Sequence, residues 1–229
     1  MMPKSLWLWF LLCFGLSFGQ QPDSTERFLF RYQQIYVPAA LMTAGILSDN
    51  TKRKRITPEN GTEAEHLLGF TNRFDDYAQF APMLTVYGFQ LVGMTPKTDW
   101  ANRTAILVKG QAINLGLVYV LKKTLKKTRP DGTAYSFPSG HTANVFAGAT
   151  MLSIEYGEDY RWVPYVSYGF AAGIGVMRMV NDKHYISDVL FGAGLGILSM
   201  KFAYWTHQYQ WNRTPTKADP FTAVYQSVY

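Results

Sequence analysis

The chain is nearly devoid of cysteine, and the single one, Cys13, falls within the first nineteen residues. If that segment is removed, disulfides, thiolate nucleophiles and cysteine-ligated metals are excluded from the mature protein. Acidic residues are outnumbered: 16 Asp and Glu against 22 Lys and Arg leave a net charge of +6. No internal repeat or low-complexity tract occurs, and strand-like alternation is rare before the tail. Past the N-terminus there is no clean run of about 20 apolar residues. Histidine is limited to four positions, of which His66 and His207 have no companion donors nearby in sequence and read as surface or capping residues.

What is present suits one domain of ordinary size, since 48% of the 229 residues are apolar and a sizeable core can be buried. Residues 1–19 read as an export signal. Lys4 begins it, the apolar stretch 5–18 follows, and Ser17 and Gly19 precede a cleavage point before Gln20. The competing reading is an uncleaved anchor. Beyond it, the apolar periodicity predicts helices over roughly 34–48, 63–94 with a break near Pro82, 100–128, 140–156, 162–179 and 185–207. The expected organisation is an N-terminal helical extension and loop over 20–75, a helical core over 76–206, and an extended tail over 207–229. Segments 77–94, 104–121, 162–177 and 189–205 approach span length but carry polar residues such as Lys109, Gln111 and Asn114. These are costly in lipid unless they face inward. The balance favours a soluble or membrane-associated helical domain exported to the periplasm or another extracytoplasmic space, with an integral membrane domain as the alternative.

The positive charge is clustered. Lys52 to Arg55 form a run that reads as a solvated face, whereas Lys122, Lys123, Lys126, Lys127 and Arg129 lead into a motif. In "KKTLKKTRP" at 122–130, Lys122 and Arg129 are seven residues apart. On a helix they would share a face, with Pro130 ending the helix. A basic last turn that complements the helix dipole is the plainer reading. In "PSGH" at 138–141, Gly140 permits close backbone approach. The Ser139 hydroxyl and the first free N–H groups of the next helix can donate to an anion, and His141 can reach it. A simple helix cap explains the same residues equally well. In "RMVNDKHYISD" at 178–188, Arg178 precedes His184 by six residues and Asp188 follows it by four. Spacing of i, i+4 puts Asp188 beneath His184 on a helix, where it can fix the ring tautomer. Taken singly, such a pair is usually structural. Taken together, three cations, two histidines, a carboxylate and a helix N-terminus suit a phosphoryl group, whose charge spreads over its equatorial oxygens.

The order Lys-x6-Arg-Pro, Pro-Ser-Gly-His, Arg-x5-His-x3-Asp over 122–188 resembles the type 2 phosphatidic acid phosphatase (PAP2) superfamily, which also includes bacterial acid phosphatases and vanadium haloperoxidases. One departure is Met177, where the family often has serine. The resemblance implies an all-α bundle of about six core helices and a phosphatase that needs no metal or other cofactor. It implies that His184 is the nucleophile and Asp188 its orienting carboxylate. His141 would be the general acid and then base. Lys122, Arg129 and Arg178 would clamp the phosphate, with Ser139 and Gly140 completing the cradle. The substrate would be a phosphorylated lipid, a lipid pyrophosphate or a small phosphomonoester. Phosphatidic acid, phosphatidylglycerol phosphate, polyprenyl pyrophosphate and the lipid A phosphates are the membrane-associated candidates. Three alternatives stand beside this: a metal-dependent hydrolase, which the converging cations oppose; a vanadate-dependent haloperoxidase; and a non-enzymatic protein that holds anionic lipid or phosphate. Motifs of nucleic-acid readers do not occur, so no nucleic-acid partner is expected.

Overall fold

A computed structural model describes residues 30–49 and 73–207. The export segment, the basic run 52–55, His66 and almost all of the tail lie outside the described residues. Those described form seven helices and no strands: α1 (Gln33–Asp49), α2 (Phe74–Ala78), α3 (Ala81–Leu91), α4 (Trp100–Leu125), α5 (Gly140–Tyr156), α6 (Trp162–Val180) and α7 (Ile186–Trp205). The chain is therefore all-α, as its periodicity implies.

Local chemistry sets the helix ends. Asp99 caps α4 by accepting from the N–H groups of Ala101 and Asn102 at 2.9 and 3.0 Å. Ser139 caps α5 by accepting from Thr142 N–H at 3.4 Å. At the head of α7, the Asp188 carboxylate reaches back to accept from Tyr185 N–H at 2.9 Å. The expected long helix over 63–94 is, in its described part, two helices broken at Gln79 and Phe80, and Pro82 sits in the first turn of α3, where a missing N–H costs nothing.

One expectation needs correction. The helix forecast over 100–128 stops at Leu125, because Lys126 turns left-handed with φ of 47° and its N–H bonds the Lys122 carbonyl at 3.1 Å. The chain then folds back, with Ser136 N–H bonding the Lys127 carbonyl at 2.7 Å. Arg129 thus lies on a loop rather than on the helical face of Lys122, and Pro130 is not what ends the helix.

Close helix contacts set the register. A Cβ on Gly196 of α7 would lie 2.1 Å from the Ala143 carbonyl oxygen of α5, and one on Gly192 would lie 2.7 Å from the Ser139 carbonyl oxygen. So α5 and α7 run parallel in near-backbone contact. On the other side, Gly194 meets Pro38 and Met42 of α1, and α1 runs antiparallel to α7. Helix α4 also runs antiparallel to α7: Gly110 abuts Met200, while Val118 packs with Phe191 and Leu195. The main core joins Val86, Ile106, Met151, Tyr156, Met200 and Tyr204 from four helices. The consequence of these directions is that the C-terminal ends of α1, α4 and α6 and the N-terminal ends of α5 and α7 share one end of the bundle.

Substituting Gly196→Ala should cost about 1–3 kcal/mol, because backbone and not a flexible side chain blocks the new methyl. Thermal unfolding should show a Tm lower by several degrees. Gly169→Ala, where nothing lies within 4 Å, should be neutral or slightly stabilising in the same assay.

Candidate active site

The shared end of the bundle gathers the residues of all three motifs. His184 lies in the short turn between α6 and α7, not on the helix that carries Asp188. The turn is tight because the N–H groups of Lys183 and His184 both bond the Arg178 carbonyl, at 3.0 and 3.2 Å. It leaves His184 only 2% exposed. The forecast His–Asp pair is present, with Nδ1 3.6 Å from the Asp188 carboxylate. That is longer than a hydrogen bond, and Nδ1 has no bonding partner.

Asp188 itself is firmly held. Its carboxylate accepts from Lys127 Nζ at 2.9 Å, from Tyr185 N–H at 2.9 Å, from Ser187 Oγ at 3.3 Å and from Ser136 Oγ. Lys127 is nine-tenths buried, bonds Ser187 Oγ at 2.9 Å, and also pairs with Asp49 at the end of α1. Its ammonium stands over the rings of Tyr185 and Phe137, at 5.0 and 5.4 Å. Sequence reading assigned neither Lys127 nor Ser136. Lys127 was visible only as one of several lysines in a run, and its inward course depends on the left-handed turn at Lys126.

The forecast phosphate-binding groups lie at the same end: Lys122 and Arg178 are near enough to act on the His184 ring, and Arg129 acts on Lys122. Lys122 donates to the Tyr135 carbonyl at 2.6 Å and lies within electrostatic reach of Arg129, Arg178 and Asp188. A Cβ on Gly140 would stand 3.9 Å from Lys122 Cε, so the α5 N-terminus and the lysine stem are neighbours. Ser139 is fully buried, and its hydroxyl is shared with Thr142 Oγ1 at 2.9 Å. The Nε atoms of Arg129 and Arg178 are buried without a partner. A buried guanidinium N–H left unpaired is costly, and an oxyanion with several oxygens is the complement of two such forks. Among the described residues no group of three His, Cys, Asp or Glu side chains is placed to hold a metal ion.

Two acidic residues, undetected in the sequence, complete the site. Arg178 Nη1 donates to Asp75 at 2.6 Å and to Asp76 at 3.4 Å. Asp75 is buried, while Asp76 is about half exposed and stands 3.0 Å from His141 Nε2. Both belong to α2, which the sequence pattern absorbed into a longer helix. The missed clue was charge balance: a buried arginine and lysine beside two histidines call for carboxylates.

Burial pushes the His184 imidazole down to about 4, with Lys122 and Arg178 acting in the same direction and Asp188 against them. The ring is therefore a neutral base at neutral pH.

The fold and the site together define a class: an all-α bundle with cations gathered at one end around a buried, neutral imidazole. Residues 103–212 match the model of the PAP2 superfamily, the superfamily that the motifs over 122–188 resemble. It is 35% identical over 179 residues to a lipid A 1-phosphatase of Porphyromonas gingivalis, covering 76% of this chain and 38% of the relative. It is 30% identical over 115 residues to phosphatidylglycerophosphatase B of Bacillus subtilis, covering 44% of this chain and 56% of the relative. The chain thus spans well under two thirds of the length of either relative. Among solved structures, that of Aquifex aeolicus LpxE is 21% identical with a TM-score of 0.46, covering 66% of this chain and 98% of that one.

Titration of His184 by NMR should give a midpoint near pH 4, so the neutral form persists through neutral pH. Lys122→Met removes a cation that disfavours imidazolium, and should move that midpoint upward.

Proposed function

We propose that the protein is a metal-independent phosphatase of lipid phosphates that works through a phosphohistidine on His184. The observation that carries this reading is the pair of unpartnered, buried guanidinium Nε–H groups, on Arg129 and Arg178, beside an imidazole kept neutral. Nucleophilic displacement at phosphorus needs a free lone pair on one side and fixed positive charge around the equatorial oxygens.

In the first step Lys122, Arg129 and Arg178 hold the phosphate oxygens, with the Gly140 N–H and Ser139 at the head of α5. The His184 lone pair on Nε2 attacks phosphorus, the ester bond breaks, and His141 gives its proton to the leaving oxygen. Asp188, held by Lys127 and Ser136, offsets the charge that develops on the ring. In the second step His141 takes a proton from water as water attacks the phosphohistidine. Phosphate leaves and both rings return to their starting states.

The names of the two curated relatives support a lipid substrate. So does the outer surface. Helices α4 and α7 are long and apolar enough to cross a membrane, although α7 is mostly buried within the protein. Helix α4 turns Val108, Leu115, Leu117 and Val120 outward, and α6 does the same with Trp162, Tyr165 and Val166. A belt of that kind suits contact with acyl chains. In this reading the core over 76–206 sits in or on a membrane, the N-terminal extension packs on it through α1, and an export signal places the site outside the cytoplasm.

Purified protein in detergent should release phosphate from lipid phosphomonoesters, and the release should survive a strong chelator. His184→Ala should abolish trapping of radiolabelled phosphoenzyme. Arg178→Ala and Arg129→Ala should each lower kcat/KM by roughly a hundred- to a thousandfold. Near-normal turnover without His184 would refute the covalent route.

A further inference from the structure

We infer that Asp76 is a positioning residue for His141: it forms a second carboxylate–histidine pair that commits His141 Nε2–H to Asp76 and leaves Nδ1 as the nitrogen that exchanges a proton with the leaving group. The inference rests on the phosphatase reading above and specifies how its acid works.

The geometry is simple. Asp76 Oδ1 stands 3.0 Å from His141 Nε2 and 3.4 Å from Arg178 Nη1. An ionised carboxylate has no proton to give, so Nε2 must be the donor in that contact. One nitrogen is thereby committed, and the other is the site of transfer. The two acids of α2 divide the task. Asp75, 1% exposed, takes the short bond from Arg178 and also accepts from Asn181 at 3.4 Å. Asp76, closer to solvent, bridges the arginine that grips phosphate and the histidine that serves the leaving oxygen.

The electrostatics explain why a carboxylate belongs there. Burial and the neighbouring Arg178 guanidinium push His141 below its ordinary value, which disfavours the protonated form that an acid needs. Asp76 and Asp75 oppose them. The other charged or titratable groups at this end include Lys122 on α4, Lys127, Arg129 and Asp131 on the loop after it, Lys183 and His184 in the turn before α7, Asp49 on α1 and Asp188 on α7. In the first step the Nδ1–H proton moves to the leaving oxygen as the P–O bond breaks, and the ring becomes neutral with its Nε2–H still on Asp76. In the second step Nδ1 recovers a proton from the attacking water. The Asp76 carboxylate keeps this bond throughout and exchanges no proton with the substrate.

A group that supports protonation of the leaving oxygen matters in proportion to how poor the leaving group is. The test therefore compares wild type, Asp76→Asn, Asp76→Glu and Asp75→Asn on two soluble probes in detergent: 2,4-dinitrophenyl phosphate, which departs unaided, and decyl phosphate, which needs a proton. For Asp76→Asn the expected loss in kcat/KM, which reads the first step alone, is about a hundredfold on the decyl ester, within the range of general acid catalysis, and no more than about threefold on the aryl ester. The basic limb of its pH profile should fall by about one unit, because the neutral amide no longer favours imidazolium. Asp76→Glu should recover part of the decyl activity. Asp75→Asn, which frees Arg178, should lower both substrates alike. A decyl loss less than about tenfold beyond the aryl loss overturns the assignment, and so does an equal loss in both, which is the mark of a merely structural role. Wild type that releases phosphate from neither ester overturns the phosphatase reading, and this inference with it.

Discussion

The structure depends on placing positive charge where water is scarce. Lys122, Lys127, Arg129 and Arg178 all lie at one end of a helical bundle, beside a histidine that is almost fully enclosed. Charges in such surroundings repel one another and lose hydration, and each must find compensation. The protein supplies this compensation in two shares. Asp188 and Asp49 take Lys127, and Asp75 with Asp76 takes one nitrogen of Arg178. The Nε groups of Arg129 and Arg178 are left over.

The bundle's main task is to keep these ends level. Glycines on α7 let α5 approach almost backbone to backbone on one side and α1 on the other. The N-terminus of α5, bearing Ser139 to His141, is thereby locked beside the turn that holds His184. Side chains that do chemistry on a phosphoryl group need positions good to a fraction of an ångström. Two helices in such close contact transmit little slack.

Much of this was legible from residue order. Helix positions over 140–156 and 162–179 follow directly from apolar periodicity and capping residues, and the three motifs do gather at one end. What the pattern could not reveal depends on tertiary context. The end of α4 at Lys126 reflects a left-handed turn that no propensity scale favours for lysine, so Arg129 was given a helical address that it does not have. The spacing of His184 and Asp188 suggested one helical face, yet the histidine sits in the turn before the helix and approaches from outside. Asp75 and Asp76 were hidden because two acids inside an apolar stretch look like a solvated helix surface. Only their long-range contact with Arg178 distinguishes them, more than a hundred positions later.

The Lys127 ammonium has a reach that extends past the reaction centre. It joins the Asp188 carboxylate to Asp49, the last residue of the first described helix. A segment upstream of the matched family region is thereby wired to the imidazole's own counter-ion. Trimming the chain ahead of the core would strip one anchor from that lysine and loosen a carboxylate that the upstream helix reaches through Lys127 and Ser187.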